Sequence, residues 1–136
     1  MEQSAVIAYR RTKQELKVVL VTSLETSRWV LPKGNIEAGL KAHESAAQEA
    51  YEEAGVEGHV ARRSVGTYEY VKTEEKGGGR RRVKVYPMSV SRVRRNWPEK
   101  PPRRRKWMTI DAAVSAVNEK KLKKILSRFG RDMNGD

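Results

Sequence analysis

One stretch of this chain, Ala42 to Ala54, combines a well-defined local structure with an unresolved charge problem. Its residues favour helix, and Gly55 stands where a left-handed cap would end it. Ala47, Ala50, Tyr51 and Ala54 fall at i, i+3, i+4 and i+7, which lays an apolar stripe along one face. Glu49, Glu52 and Glu53 occupy i, i+3 and i+4, so three carboxylates project from a face opposite that stripe. Held together, they repel one another unless they are hydrated, paired or neutralised by a cation, and oxygen-only ligands are what hard magnesium prefers. A charged stripe standing alone is most often a solvated face. This one follows Lys33-Gly34-Asn35, residue types suited to a loop with close backbone approaches.

The rest of the chain frames that helix. Ser4 to Tyr9 and Lys17 to Thr22 are rich in Val, Ile and Tyr and read as two strands joined by a polar hairpin connection. Trp29-Val30-Leu31 is a short apolar segment that stops at Pro32. His59 to Val71 and Arg81 to Val93 read as two longer strands, joined by a polar turn containing Gly77-Gly78-Gly79. Asn96 to Pro102 holds three prolines and is expected to be a surface loop, leading to a short strand at Lys106-Trp107-Met108. Thr109 or Asp111 caps a helix over Ala112 to Val117. A last helix, Glu119 to Phe129, sets Leu122, Ile125, Leu126 and Phe129 against an outer face of lysines, Lys120, Lys121, Lys123 and Lys124, assigned to solvent. There is no internal repeat and no linker, and 136 residues suit one domain, 1–136, with a single core.

From Gly34 to Val56 the order of residues resembles the Nudix box: a glycine, a spaced glutamate, then Arg-Glu-apolar-any-Glu-Glu-any-Gly-apolar. Aligned on Gly34, the chain matches at Glu49, Glu52, Glu53, Gly55 and Val56, while the family's first Glu falls on Leu40 and its Arg on Gln48. In the family these two form an ion pair bracing loop to helix, so their joint replacement reads as a substituted brace that leaves no orphaned charge. The opening strands, the Trp29-to-Pro32 approach, the central strand pair and Arg105-Lys106-Trp107-Met108 before an acidic-capped helix look like the diphosphoinositol polyphosphate and diadenosine polyphosphate branch.

The resemblance implies a Nudix α/β/α sandwich with a mixed β-sheet, the box helix on one side and the carboxy-terminal helices on the other. It also implies hydrolysis of a phosphoanhydride. Gly34, Glu49, Glu52 and Glu53 would hold Mg2+, with Mn2+ as the alternative, and Glu52 or Glu53 would take the proton from the attacking water. Glu69, Glu74, Glu75 and Glu99 are alternative bases from later loops. Lys33, Arg10, Arg28, Arg82, Lys84 and Arg105 are the expected phosphate-binding residues.

Composition agrees with an anionic ligand. Twenty-nine Lys and Arg against 17 Asp and Glu give a formal charge of +12, which concentrates polyanions around the protein. The absence of cysteine excludes disulfides, thiolate zinc sites and a cysteine nucleophile, and suits a reducing, cytoplasmic setting. No signal peptide or membrane span is legible, and no strongly apolar exposed helix face argues against a monomer. Trp29 and Trp107 are expected in the core and Trp97 at the surface, over a nucleobase, with His43 and His59 on the surface. Two other readings remain: a catalytically weak module binding RNA or polyphosphate, and a pyrophosphohydrolase acting on RNA 5′ ends.

Overall fold

The computed structural model describes residues 2–13, 15–72 and 77–135. Eleven elements follow one another: strands β1 (Glu2–Thr12), β2 (Glu15–Thr22), β3 (Trp29–Val30) and β4 (Lys33–Asn35), helix α1 (Ala42–Ala54), strands β5 (Val56–Val60), β6 (Gly66–Val71), β7 (Arg80–Val93) and β8 (Arg105–Thr109), then helices α2 (Ile110–Ala116) and α3 (Lys120–Met133). All eight strands join one mixed sheet. Its centre is the parallel pair β1 and β7, with Ala5 opposite Val85 and Ile7 opposite Pro87. β2 and β4 pair antiparallel with β1, β8 with β2, and β5 and β6 with β7.

Period-two alternation along β1 divides the core between two faces. Ala5 and Ile7 pack with Leu122, Ile125, Leu126 and Phe129 of α3, whereas Val6 and Ala8 pack with Ala46, Ala50 and Ala54 of α1. The sheet is therefore covered on both sides, as the α/β/α reading requires. Each of the four large α3 side chains contributes about 1.5–3 kcal/mol through burial. Thr109 caps α2 by accepting from the Ala112 N–H, and Gly55 ends α1 at φ 66°. Among the described residues, no helix is long and apolar enough to cross a membrane.

Lys33-Gly34-Asn35, expected to open a loop, is strand β4, held antiparallel against β1. Three further expectations change. The segment His59 to Val71 is not one strand: β5 and β6 meet β7 separately, and the chain leaves the sheet between them. The cause is Pro87. Its carbonyl accepts from Ala61 N–H on that edge, but it has no N–H to return, so the ladder cannot continue. Second, α1 is rotated from the predicted stripe. Ala46, Ala50 and Ala54 are buried together with Glu53, and Tyr51 is exposed, because three small side chains let the helix lie close to the sheet where a tyrosine would hold it off. The glutamates thus do not stand opposite the alanines; Glu53 belongs to the buried face. Third, Trp97 is buried rather than available to a base. It packs on Gly55, where a Cβ would lie 2.9 Å from its ring, and carries the Arg105 guanidinium at 4.1 Å.

Candidate active site

The rotation of α1 turns Glu49 and Glu53 toward the β4 backbone. A Cβ on Gly34 would stand 2.3 Å from the carboxylate carbon of Glu49, so only glycine lets the loop pass this close to the carboxylate. Glu53 is fixed at both oxygens: the Lys33 backbone N–H donates to Oε1 at 3.1 Å and Arg103 Nη2 donates to Oε2 at 3.1 Å. Arg103 is itself locked, donating through Nη1 to the Thr22 carbonyl at 2.9 Å and through Nε to Glu99 at 2.6 Å. Loop and helix are further joined by the Glu37 N–H donating to the buried Ser45 hydroxyl at 3.0 Å, and by the Lys41 N–H donating to Glu44 at 2.8 Å.

The electrostatics record an excess of negative charge. Burial pushes the Glu49 carboxyl up to about 8, reinforced by Glu53, Glu52 and Glu99. Burial also raises Glu53, to about 7, against the opposing pull of Arg103 and the Lys33 N–H. The Lys33 ammonium is lowered by burial, partly countered by Glu53, and rests 4.9 Å from the Tyr70 ring centroid. Among the described residues no three acidic or histidine side chains close into a ready metal site. The oxygen donors nonetheless suit a hard divalent cation: two carboxylates whose ionisation burial opposes, and which a cation would favour, beside the glycine backbone that Glu49 touches.

These residues floor a cleft of about 350 Å³. Its walls are the loop from Ser23 to Trp29, the strand residues Tyr68, Tyr70 and Val71 with Lys72, and Asn118 and Glu119 between the last two helices. A half-buried relay runs along one side, Tyr70 O–H donating to Gln3 at 2.8 Å and the Gln3 amide donating to Asn35 at 3.0 Å. At the mouth, Arg28 donates from Nε to Thr26 at 3.1 Å and reaches the Asn118 amide oxygen.

The Nudix domain pattern matches residues 1–130. The chain belongs to the Nudix family. Nudix hydrolase 12, mitochondrial, of Arabidopsis thaliana is 30% identical over 90% of this chain and 62% of its own length. Diphosphoinositol polyphosphate phosphohydrolase 2 of Rattus norvegicus is 30% identical over 79% of this chain and 58% of its own. The chain therefore spans about three fifths of the length of these curated relatives. Among solved structures, a C. elegans Ap4A hydrolase complex superposes with TM-score 0.69 at 14% identity, covering 99% of this chain and 98% of its own. The E. coli dihydroneopterin triphosphate pyrophosphohydrolase gives TM-score 0.71 at 16% identity, covering 96% and 95%. Identities this low speak for the Nudix fold alone.

Within this Nudix domain the box residues Gly34, Glu49 and Glu53 come together, while Glu52 is half-buried and does not line the cleft. Of the expected phosphate-binding residues, Lys33 and Arg28 line it. The others lie elsewhere. Arg10 stacks 4.5 Å from the Trp107 ring, and Arg105 lies on Trp97 while donating to the Ala54 carbonyl at 2.8 Å. Arg82 sits 4.0 Å from Glu2 and lines a second groove, and Lys84 lines neither. Of the alternative bases, Glu99 is held by Arg103 and Glu69 by Arg80 at 3.0 Å, and Glu74 and Glu75 lie outside the described residues. His59 is exposed and His43 half-buried, near Tyr86. Tyr70 and Gln3 escaped sequence reading as site residues, and Arg103 was read only as part of a basic cluster for substrate, not as the partner of Glu53. Arg103 alone had a signal, since a buried glutamate requires a cation and a basic run begins at that position.

Proposed function

We propose that this Nudix domain is a divalent-metal-dependent pyrophosphohydrolase that cleaves a phosphoanhydride in a small polyphosphorylated substrate. The observation that carries the reading is the Glu49 carboxylate packed into the space a Gly34 side chain would fill, one helical turn from a buried Glu53. Gly34, Glu49, Glu52 and Glu53 would hold the cation. Magnesium, with manganese as the alternative, supplies charge neutralisation at the anhydride oxygens and a more acidic attacking water. The chain's own part is to orient and to exclude. Arg103 and the Lys33 N–H hold Glu53 in one rotamer. Lys33 at the floor, Lys72 on the wall and Arg28 at the mouth place cations where phosphate oxygens would enter. Arginines engage Glu99, Glu69 and also Glu53; of the two helix carboxylates proposed to accept the water's proton, Glu52 or Glu53, Glu52 is the one that no arginine holds among the described residues.

For the substrate we favour a diphosphoinositol polyphosphate or a diadenosine polyphosphate. The names of the rat relative and of the C. elegans protein point to these two substrates, and the +12 charge rewards many phosphates at once. A cytoplasmic setting is proposed from the absence of cysteine alone, whereas the Arabidopsis relatives carry mitochondrial names. The test is phosphate release from these two substrate classes, nucleoside triphosphates and triphosphorylated RNA, with magnesium and with chelator, in the native protein and Glu53→Gln. Metal-dependent turnover lost in the variant supports the hydrolase. Binding without turnover of any substrate refutes it, and assigns functional weight to the replacements at Leu40 and Gln48.

A further inference from the structure

A second groove, about 720 Å³, lies between α3 and the start of β6, away from the glutamates. Lys121, Lys124, Arg128 and Arg131 line it from the helix and Arg82 from the sheet, and none of its described lining residues is acidic. Lys123 also lines the groove but donates to the Val114 carbonyl; the other four helical cations fall at i, i+3, i+7 and i+10, one stripe about 15 Å long at 1.5 Å rise per residue. Gly66 makes the approach possible, since a Cβ there would stand 2.9 Å from Ile125. Arg128 is anchored across the groove by donating to the Val65 carbonyl. Glu2 stands 4.0 Å from Arg82. The stripe also has a direction, because Asn118 and Glu119, just ahead of α3, line the glutamate cleft.

We propose that this groove binds the phosphate backbone of single-stranded RNA and leads the strand toward the glutamate cleft. A compact polyphosphate is best gripped by cations converging from several sides, whereas these are strung in a line. The stripe of about 15 Å spans about four phosphates of a strand whose stacked rise is about 3.4 Å, as many as its four aligned cations. Inorganic polyphosphate, whose neighbouring phosphorus atoms share one bridging oxygen, carries its charges closer together. No aromatic side chain lines the groove, so bases find no stacking platform and binding is indifferent to their identity. The cleft of about 350 Å³ at the end of the stripe admits a strand end, not a duplex.

The inference does not rest on the hydrolase reading, and its test keeps the two apart. Fluorescence anisotropy is read with short oligouridylate and oligoadenylate carrying 5′-hydroxyls, in chelator, so that neither an anhydride nor a metal contributes. The expected result is equal affinity for both, a log–log salt slope of about −3 for four phosphate contacts, and at least a ~10-fold loss in the Lys121→Glu/Lys124→Glu double variant. Glu53→Gln should bind as the native protein does, and the double variant should keep its native circular dichroism and native rate on small substrates. Absence of binding at low salt, binding unmoved by the charge reversal, or binding of inorganic polyphosphate with none of RNA would each overturn the proposal.

Discussion

Helices α1 and α3 cover opposite faces of the same sheet and handle charge in opposite ways. α3 is amphipathic in the ordinary sense: Leu122, Ile125, Leu126 and Phe129 are buried and its lysines and arginines stay in water. α1 presents alanines to the sheet and takes a carboxylate in with them, Glu53 being 5% exposed. Burying a large apolar side chain stabilises by itself. Burying a carboxylate costs free energy unless hydrogen bonds and a counter-charge come with it. Where a fold accepts that cost, the partners it supplies, here Arg103 and the Lys33 N–H, mark the place built for chemistry rather than for packing.

Removing the charge is the most direct attack on that contrast. Glu53→Gln keeps the size of the side chain and its acceptor oxygen, so the fold should survive. Turnover of the preferred substrate should fall by about 10²–10⁴-fold, the range for a positioned catalytic group. The matching change in α3, Leu126→Ala, should do the reverse: a loss of about 2–5 kcal/mol in denaturant unfolding, with the rate per folded molecule unchanged. If both variants lost activity in proportion to stability, the distinction between the two helices would fail.

Arg103→Gln tests the partner. The Arg103 and Glu53 side chains are 13% and 7% exposed, so the substitution leaves a buried carboxylate without its cation and should cost about 3 kcal/mol in the metal-free protein. Magnesium should restore more stability to this variant than to the native chain, because the cation then meets a charge that nothing else neutralises. Equal stabilisation of both would mean that Glu53 is not among the metal ligands.

How much of this was legible in the sequence follows from the same contrast. α3 could be placed to within a few residues, because apolar spacing reports directly on burial. α1 was bounded by Ala42, Ala54 and Gly55, yet its rotation was misread: alanine and tyrosine both count as apolar, and only contact with the sheet shows that small side chains were needed. The spacing of Glu49, Glu52 and Glu53 could be read, but not that Glu53 turns inward, since its counter-charge Arg103 is fifty positions away on an irregular loop. Parity along a strand says nothing about such loops. The split between β5 and β6 was in principle visible in Pro87, had the edge it faces been known. Trp97 was misplaced because prolines around it suggested exposure, whereas the glycine it packs on lies on α1's cap.

The last test is of pH dependence. Glu49 and Glu53 are raised in the folded protein, from 4.5 to about 8 and about 7, so between those values the folded state holds more protons than the unfolded one. Stability of the metal-free protein should therefore fall as pH rises from about 4.5 to about 8 and level off above. The cause is the accumulating anionic charge, so magnesium, which displaces the protons, should flatten the slope. Glu49→Gln should reduce it without metal, leaving the share that Glu53 contributes. Thermal melts across that range, in chelator and in magnesium, decide the matter. α3 supplies the control: Lys121→Ser should shift stability by less than about 0.5 kcal/mol at every pH, as for an exposed residue whose charge the fold leaves in water. A slope that persisted in the Glu49→Gln/Glu53→Gln double variant and in magnesium would place the proton-linked groups outside α1, and the buried-charge account of this helix would have to be abandoned.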